Sequence, residues 1–234
     1  MKSMTRKMLR GLPAVVTALL LAPGAGASRA AEVPKDVPEL WAQFDFRKEP
    51  LKVEVVKEWS TDDGTFRLVR YSLGTLEGDK KKASPVMAAY YGFPKAAAGG
   101  KAKVPAILHL HGGGQRADKE RVENWVKLGY ASMSINWGGK VLEEKDTPNT
   151  DWDGLAAGFI GSKVQAHNNS VDPNPNTLFK RPHPMNCSWV LIGIAARRAL
   201  TFLEQQPEVD ASRIGVEGHS MGGDSTVLTA IDPR

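Results

Sequence analysis

The chain has 234 residues, 41% of them hydrophobic and 24% charged, a balance that is ordinary for a globular protein and excludes disorder over most of its length. Its formal net charge is +5, but residues 1–30 hold five basic residues and no acidic one, so the remainder is nearly neutral and no nucleic-acid partner is expected. The single cysteine, Cys187, excludes an internal disulfide and a zinc site built from cysteines.

Residues 1–30 have the pattern of a secretory signal peptide. A basic start is followed by an apolar run over residues 11–22 and by the small-residue sequence GAGASRAA. An apolar run of about a dozen residues is too short to cross a bilayer comfortably, although an uncleaved anchor is the alternative. We therefore expect an exported protein, periplasmic or extracellular, with no stable membrane insertion after cleavage.

Residues 31–50 are punctuated by prolines and are predicted to form an irregular N-terminal segment. The main domain is predicted over residues 51–234. Apolar and polar residues alternate over 51–59 and 65–73, on either side of the turn sequence STDDG, which predicts a β-hairpin. Residues 84–94 are a third extended candidate.

Strands and helices alternate from residue 104 onward. Short apolar runs predict buried strands, and apolar residues at helical spacing predict the helices between them. Strands are predicted at residues 104–111, 131–137 and 213–219, and helices at 118–128, 187–206 and 221–231. This order predicts an α/β fold with a mostly parallel sheet and the hairpin as its antiparallel edge.

The stretch between residues 138 and 185 shows little periodicity and many Gly, Pro, Asn and Asp residues. Long segments of this kind in compact domains are usually lids or insertions with a function. Together with Trp137 and Trp152, it is expected to border a substrate pocket, and a plain solvated insertion is the alternative.

The sequence Gly-His-Ser-Met-Gly at residues 218–222 fits the pattern G-x-S-x-G between a predicted strand and a predicted helix. A serine at such a tight turn is exposed as a nucleophile, and its neighbours must be small for the chain to fold back. Ser220 is the candidate nucleophile. The turn around it is formed by Gly218, His219, Gly222 and Gly223.

The sequence His-Gly-Gly-Gly at residues 111–114 ends the earlier strand. Acyl transfer needs N–H donors aimed at the oxyanion, one of them usually from the residue after the nucleophile. The candidate donors are Met221 and the pair Gly113 and Gly114. His109 and His111 could suggest a metal pair, but no third ligand is evident, so neither a metal nor another cofactor is expected.

With these motifs the sequence resembles the α/β-hydrolase superfamily, and within it the acetyl xylan esterase and dienelactone-hydrolase-like branch. The resemblance rests on VPAILHLHGGGQR, GYASMSINW and RRALTFLEQQPEVDASRIGVEGHSMGG, and it covers residues 104–231. It implies a serine nucleophile at Ser220, oxyanion amides from Met221 and the Gly113–Gly114 region, and esterase activity on a small-molecule or polysaccharide ester.

The sequence departs from this family in its catalytic base. In α/β-hydrolases the acid and the histidine follow the serine, whereas all five histidines here precede Ser220 and only Asp224 and Asp232 follow it, on or just past the next helix. His167 or His183 could act from an unusual position. If the chain ended at residue 234, the strand predicted at residues 213–219 would also be an exposed edge of the sheet. We therefore expect the N-terminal part of a longer hydrolase, truncated after the nucleophile strand and helix, with the triad Asp and His beyond residue 234.

Two other functions are compatible with these motifs. A serine peptidase of the prolyl-oligopeptidase type usually carries a large propeller before its catalytic domain, and the roughly 70 residues between the signal and the parallel strands are too few for one. An inactive hydrolase-like domain that binds a polysaccharide would not require the intact Ser220 and its glycines.

Overall fold

A computed structural model describes residues 32–144, 146–158 and 167–231 of the chain. The predicted signal peptide lies outside these residues, and so does Asp232. Within the described ranges, no helix combines the length and the apolar character that a membrane crossing would need.

Eight strands and four α-helices form the described structure. The strands are β1 (Glu54–Ser60), β2 (Gly64–Ser72), β3 (Leu76–Glu77), β4 (Lys82–Ala83), β5 (Val86–Pro94), β6 (Val104–Leu110), β7 (Ala131–Ile135) and β8 (Val209–Gly218). The helices are α1 (Val37–Ala42), α2 (Lys119–Lys127), α3 (Ser188–Glu204) and α4 (Met221–Ala230), with short 3-10 turns at Lys95–Gly100 and Pro184–Asn186.

Six of the strands form one mixed sheet in the order β1-β2-β5-β7-β6-β8. The predicted hairpin is confirmed as the antiparallel pair β1 and β2. Strand β5 continues the antiparallel half and pairs with β7, while β7, β6 and β8 run parallel. The α/β class predicted from the sequence is therefore correct, and its parallel part is the half of the sheet that carries the glycine-rich turns.

Helix α2 forms where the sequence provides both an apolar face, with Val122 and Val126 buried, and a capping residue. Asp118 caps α2, because its carboxylate accepts the Arg121 N–H at 2.8 Å. Helix α3 is buried along almost its whole length, and its buried residues include Arg197, Arg198 and Thr201 as well as apolar side chains. It packs beneath the parallel strands and contributes to the main core.

Residues 32–50 contain helix α1 and pack against the main domain. Trp41 is buried in the same core as the central strands. The Arg198 side chain, also buried, donates hydrogen bonds to the carbonyl oxygens of Glu49 at 2.9 Å and Ser72 at 3.0 Å. The described part of this segment is thus hydrogen-bonded to helix α3.

The described part of the 138–185 stretch contributes residues to the core although it contains no strand of the main sheet. Trp152 and Phe179 lie within the main core. Side chains replace the missing ladder hydrogen bonds, as when Asn186 accepts the Phe179 N–H at 2.9 Å and donates to the Arg181 carbonyl at 2.9 Å. Part of this stretch is therefore packed into the core, and part of it is exposed to solvent.

Candidate active site

Ser220 lies at a sharp turn between strand β8 and helix α4. Its backbone has φ 53° and ψ −123°, a combination that is strained for a residue with a Cβ. The turn is closed by two hydrogen bonds, from the Gly222 N–H to the His219 carbonyl at 2.9 Å and from the Gly223 N–H to the Ser220 carbonyl at 2.7 Å. Ser220 itself is exposed.

Two of the predicted glycines are held in very close contact with backbone. A Cβ added to Gly218 would lie 2.3 Å from the Gly222 carbonyl oxygen, and one added to Gly222 would lie 2.0 Å from the Leu110 carbonyl oxygen. Gly223 differs, because a Cβ there would meet its nearest neighbour at 3.7 Å. The end of β6 is thereby pressed against the start of α4, directly beside Ser220.

The same contact brings the two predicted groups of oxyanion donors together. Gly113 lies against Met221, since a Cβ on it would be 2.3 Å from the Met221 Sδ. Gly114 has φ +71°, and a Cβ added to it would meet no atom within 4 Å. Within the described part of the chain, the N–H groups of Gly113, Gly114 and Met221 have no hydrogen-bond acceptor. A cluster of unpaired donors beside a helix N-terminus favours developing negative charge.

A buried histidine and tryptophan support the glycine turn from below. The His111 ring stacks on Trp137 with centroids 4.7 Å apart, and the Trp137 Nε1–H donates to the His111 carbonyl at 3.1 Å. The His111 Nδ1 lies 2.8 Å from the Gly112 carbonyl oxygen, so this nitrogen carries the proton. Burial lowers the pKa of His111 to about 4, so the ring is neutral at pH 7.

A second histidine connects strand β6 to the strand that carries Ser220. His109 faces Glu217 across the parallel ladder, with its Nδ1 3.4 Å from the Glu217 Oε1. The same carboxylate oxygen accepts the Trp125 Nε1–H at 2.7 Å. Burial lowers the pKa of His109, an effect that the nearby Glu217 opposes. This contact joins β6, β8 and α2 below the site.

All five histidines lie in the described residues, and no hydrogen bond joins any of them to Ser220 there. His109 and His111 are engaged as described above. The His167 ring lies edge-on to Trp189, while His183 stacks on Phe179. Burial lowers the pKa of both His167 and His183. His219 is exposed within the turn.

In the described ranges, no three His, Cys, Asp or Glu side chains converge on one point where they could hold a metal ion. His109 and His111 each make contacts of the kind that structural histidines make. Asp224 lies in the first turn of α4, on the helix itself.

Sequence reasoning missed two residues that shape this site. Gln115 follows the three glycines and accepts the Gly112 N–H through its Oε1 at 2.8 Å. Trp137 is predicted only to border a pocket, but its Nε1–H donates a hydrogen bond to the His111 carbonyl. A polar side chain that directly follows a glycine run is the one signal that could have indicated Gln115, whereas the role of Trp137 depends on the pairing of β6 with β7.

The family model described as Acetyl xylan esterase (AXE1) matches residues 27–233 of the chain. No curated protein matches it. Among solved structures, the chain is similar to acetyl xylan esterase 1 from Thermoanaerobacterium sp. JW/SL YS485, with 20% identity, a TM-score of 0.54, and coverage of 85% of this chain and 55% of that one. It is also similar to the acetyl xylan esterase from Paenibacillus sp. R4, with 21% identity, a TM-score of 0.51, and coverage of 79% and 51%.

At these identities the solved structures establish the fold alone, and they confirm the α/β-hydrolase fold predicted from the sequence. The chain spans about half the length of the structures it matches. The family match extends well beyond the motifs, since it includes the N-terminal segment and the hairpin as well as the parallel strands.

Proposed function

Because the chain belongs to the acetyl xylan esterase family, we propose that it carries the nucleophile and the oxyanion-binding amides of a serine hydrolase that cleaves carboxylic esters. The substrates are acetyl or similar acyl esters, on small molecules or on a polysaccharide. The observation that carries the proposal is the strained backbone of Ser220, φ 53° and ψ −123°, at the N-terminus of helix α4 and beside a glycine turn. Strain of about 1–3 kcal/mol at one residue persists where the surrounding structure enforces it, and such residues cluster at active sites.

In the proposed reaction, the Ser220 Oγ attacks the carbonyl carbon of the ester while its proton passes to a base. The negative charge that develops on the carbonyl oxygen is stabilised by the N–H groups of Met221 and of the Gly113–Gly114 turn. Collapse of the tetrahedral intermediate releases the alcohol, which takes up the proton, and leaves the acyl group on Ser220. Water then attacks the acyl-enzyme by the same route, releasing the acid and restoring the serine.

We also propose that the base for Ser220, and the acid that orients it, are not among the described residues. The support is that none of the five histidines is hydrogen-bonded to Ser220 among the described residues, and that all of them except His219 lie in other surroundings. A hydroxyl without a base is a weak nucleophile at neutral pH. On this proposal the 234-residue chain alone hydrolyses esters poorly, and the triad Asp and His are contributed by residues beyond 234.

The nucleophile is tested with the product of the complete reading frame. We expect 4-nitrophenyl acetate and acetylated xylan to be hydrolysed, and Ser220→Ala to lower kcat/KM by at least about 1000-fold. Ser212→Ala is the matched control, because Ser212 is an exposed serine near the start of strand β8. An Ser220→Ala protein that retains activity close to the unmodified protein would refute the proposal.

The position of the base has a separate test. Sequencing the gene past codon 234 should reveal an Asp and, after it, a His. A stop codon directly after codon 234, or strong Ser220-dependent turnover by the 234-residue chain alone, would contradict it.

Export is the third part of the proposal. It rests on the basic, apolar and small-residue order of residues 1–30. The N-terminal sequence of protein recovered outside the cytoplasm should begin near residue 31. Recovery only from the cytoplasm, with Met1 or Lys2 at the N-terminus, would contradict it.

A further inference from the structure

Gln115 is an exposed residue that directly follows the Gly112–Gly114 turn and is hydrogen-bonded to its first glycine. Its side-chain Oε1 accepts the Gly112 N–H at 2.8 Å, and its own N–H donates to the Gly112 carbonyl at 3.2 Å. The Gly112 carbonyl also receives the His111 Nδ1–H at 2.8 Å. Both peptide groups of Gly112 are therefore fixed, one of them by a side chain that lies on the surface.

The backbone of Gln115 is anchored in turn by the loop after strand β7. The Lys140 N–H donates to the Gln115 carbonyl at 2.7 Å. Gly139 approaches the same carbonyl so closely that a Cβ on Gly139 would lie 1.9 Å from the oxygen. The Gln115 carbonyl is thus bound by the loop after β7, while its side chain and its N–H are hydrogen-bonded to Gly112 in the glycine turn.

The N–H groups of the three glycines differ in whether they are hydrogen-bonded. Gly112 uses its N–H on Gln115, whereas the N–H groups of Gly113 and Gly114 have no acceptor among the described residues. Three successive glycines would otherwise populate many backbone conformations. Donors that stabilise an oxyanion must already point at it before the reaction, because reorienting them during the reaction costs activation free energy.

We propose that Gln115 is a positioning residue that holds the Gly113 and Gly114 N–H groups toward the oxyanion without contacting the substrate. It acts through Gly112, by accepting its N–H and closing the turn. The proposal rests on the proposed esterase function, and it goes beyond it by assigning the preorganisation of the oxyanion donors to one side chain.

The test uses Gln115→Met in the product of the complete reading frame. Methionine has nearly the same length and removes the oxygen that accepts the Gly112 N–H. We expect kcat for 4-nitrophenyl acetate to fall about 10- to 100-fold with KM nearly unchanged, because the misplaced donors act in the transition state. Gln115→Ala, which leaves no side chain to be misplaced, should give the same split. The matched control is Gln206→Met, which likewise removes one side-chain hydrogen bond to a backbone group, the Phe202 carbonyl at 2.9 Å.

A second readout does not depend on activity. Removing the acceptor should accelerate hydrogen exchange of the Gly112 amide by at least about tenfold in Gln115→Met, while amides of the central strands remain unchanged. Unchanged Gly112 exchange, or a kcat within twofold of the unmodified protein, would overturn the proposal. A protein with no Ser220-dependent hydrolysis would instead refute the proposed function, and the exchange experiment would still decide the role of Gln115 in the turn.

Discussion

Replacing Ser220 by glycine should stabilise the protein relative to replacing it by alanine. Both variants remove the hydroxyl, which has no side-chain hydrogen bond among the described residues, and the position is exposed. They differ in the Cβ. Alanine keeps the strain of φ 53° and ψ −123°, whereas glycine adopts such a conformation readily.

The size of the effect follows from two opposing contributions. A residue with a Cβ in a sparsely populated region of φ and ψ costs about 1–3 kcal/mol. Glycine removes this strain but also lowers the free energy of unfolding by about 0.4–1 kcal/mol, because it increases the conformational entropy of the unfolded chain. We therefore expect Ser220→Gly to raise the free energy of unfolding by about 1 kcal/mol over Ser220→Ala.

Urea unfolding of the two variants at pH 7.5 measures this difference directly. The comparison requires that the free energy of unfolding depend on urea concentration with the same slope in both variants. Both variants should lack esterase activity. If Ser220→Gly unfolds at the same or a lower urea concentration than Ser220→Ala, the turn around Ser220 is not strained, and the observation on which the proposed function rests is lost.

Two further predictions concern the surroundings of Ser220. Gly222→Ala places a Cβ 2.0 Å from the Leu110 carbonyl oxygen and should lower the free energy of unfolding by about 3 kcal/mol or more, while Gly223→Ala, with 3.7 Å available, should be tolerated; equal urea midpoints would contradict this. The pKa of His111 is lowered to about 4 in the folded chain. As the pH drops, the unfolded chain therefore takes up a proton on this ring near its ordinary pKa, before the folded chain does. The free energy of unfolding should consequently fall as the pH drops from 7.5 to 4.5. The contribution of His111 is ~2–3 kcal/mol, and His111→Gln should show a correspondingly shallower pH dependence; an identical dependence would refute it.

The sequence predicts best those parts of the fold where local pattern and local structure coincide. The hairpin is visible because its alternating residues face opposite sides of the sheet. The turn at Ser220 is visible because only glycine fits at positions 218 and 222, where backbone carbonyls lie within 2.3 Å of an added Cβ. In both cases the residue type at a position directly indicates the local structure around it.

Other parts depend on partners that are distant in the sequence. Strand β5 is recognisable as extended, but its place between β2 and β7 follows from the assembled sheet. Trp152 and Phe179 are buried although the stretch around them has no periodicity, because amide and hydroxyl side chains satisfy its backbone. The acceptor role of Gln115 is hidden for the same reason, since it requires a turn closed by a side chain and held from the loop after β7.

The most direct test of the proposed function is to trap the acyl-enzyme. The product of the complete reading frame is mixed with 4-nitrophenyl acetate, quenched in acid within the first turnovers and digested with trypsin. We expect one acetyl group on the peptide that follows Arg213, located at Ser220 by fragmentation, and none in the Ser220→Ala protein. An acetyl group on a different residue, or ester hydrolysis that continues in Ser220→Ala, would contradict Ser220 as the nucleophile.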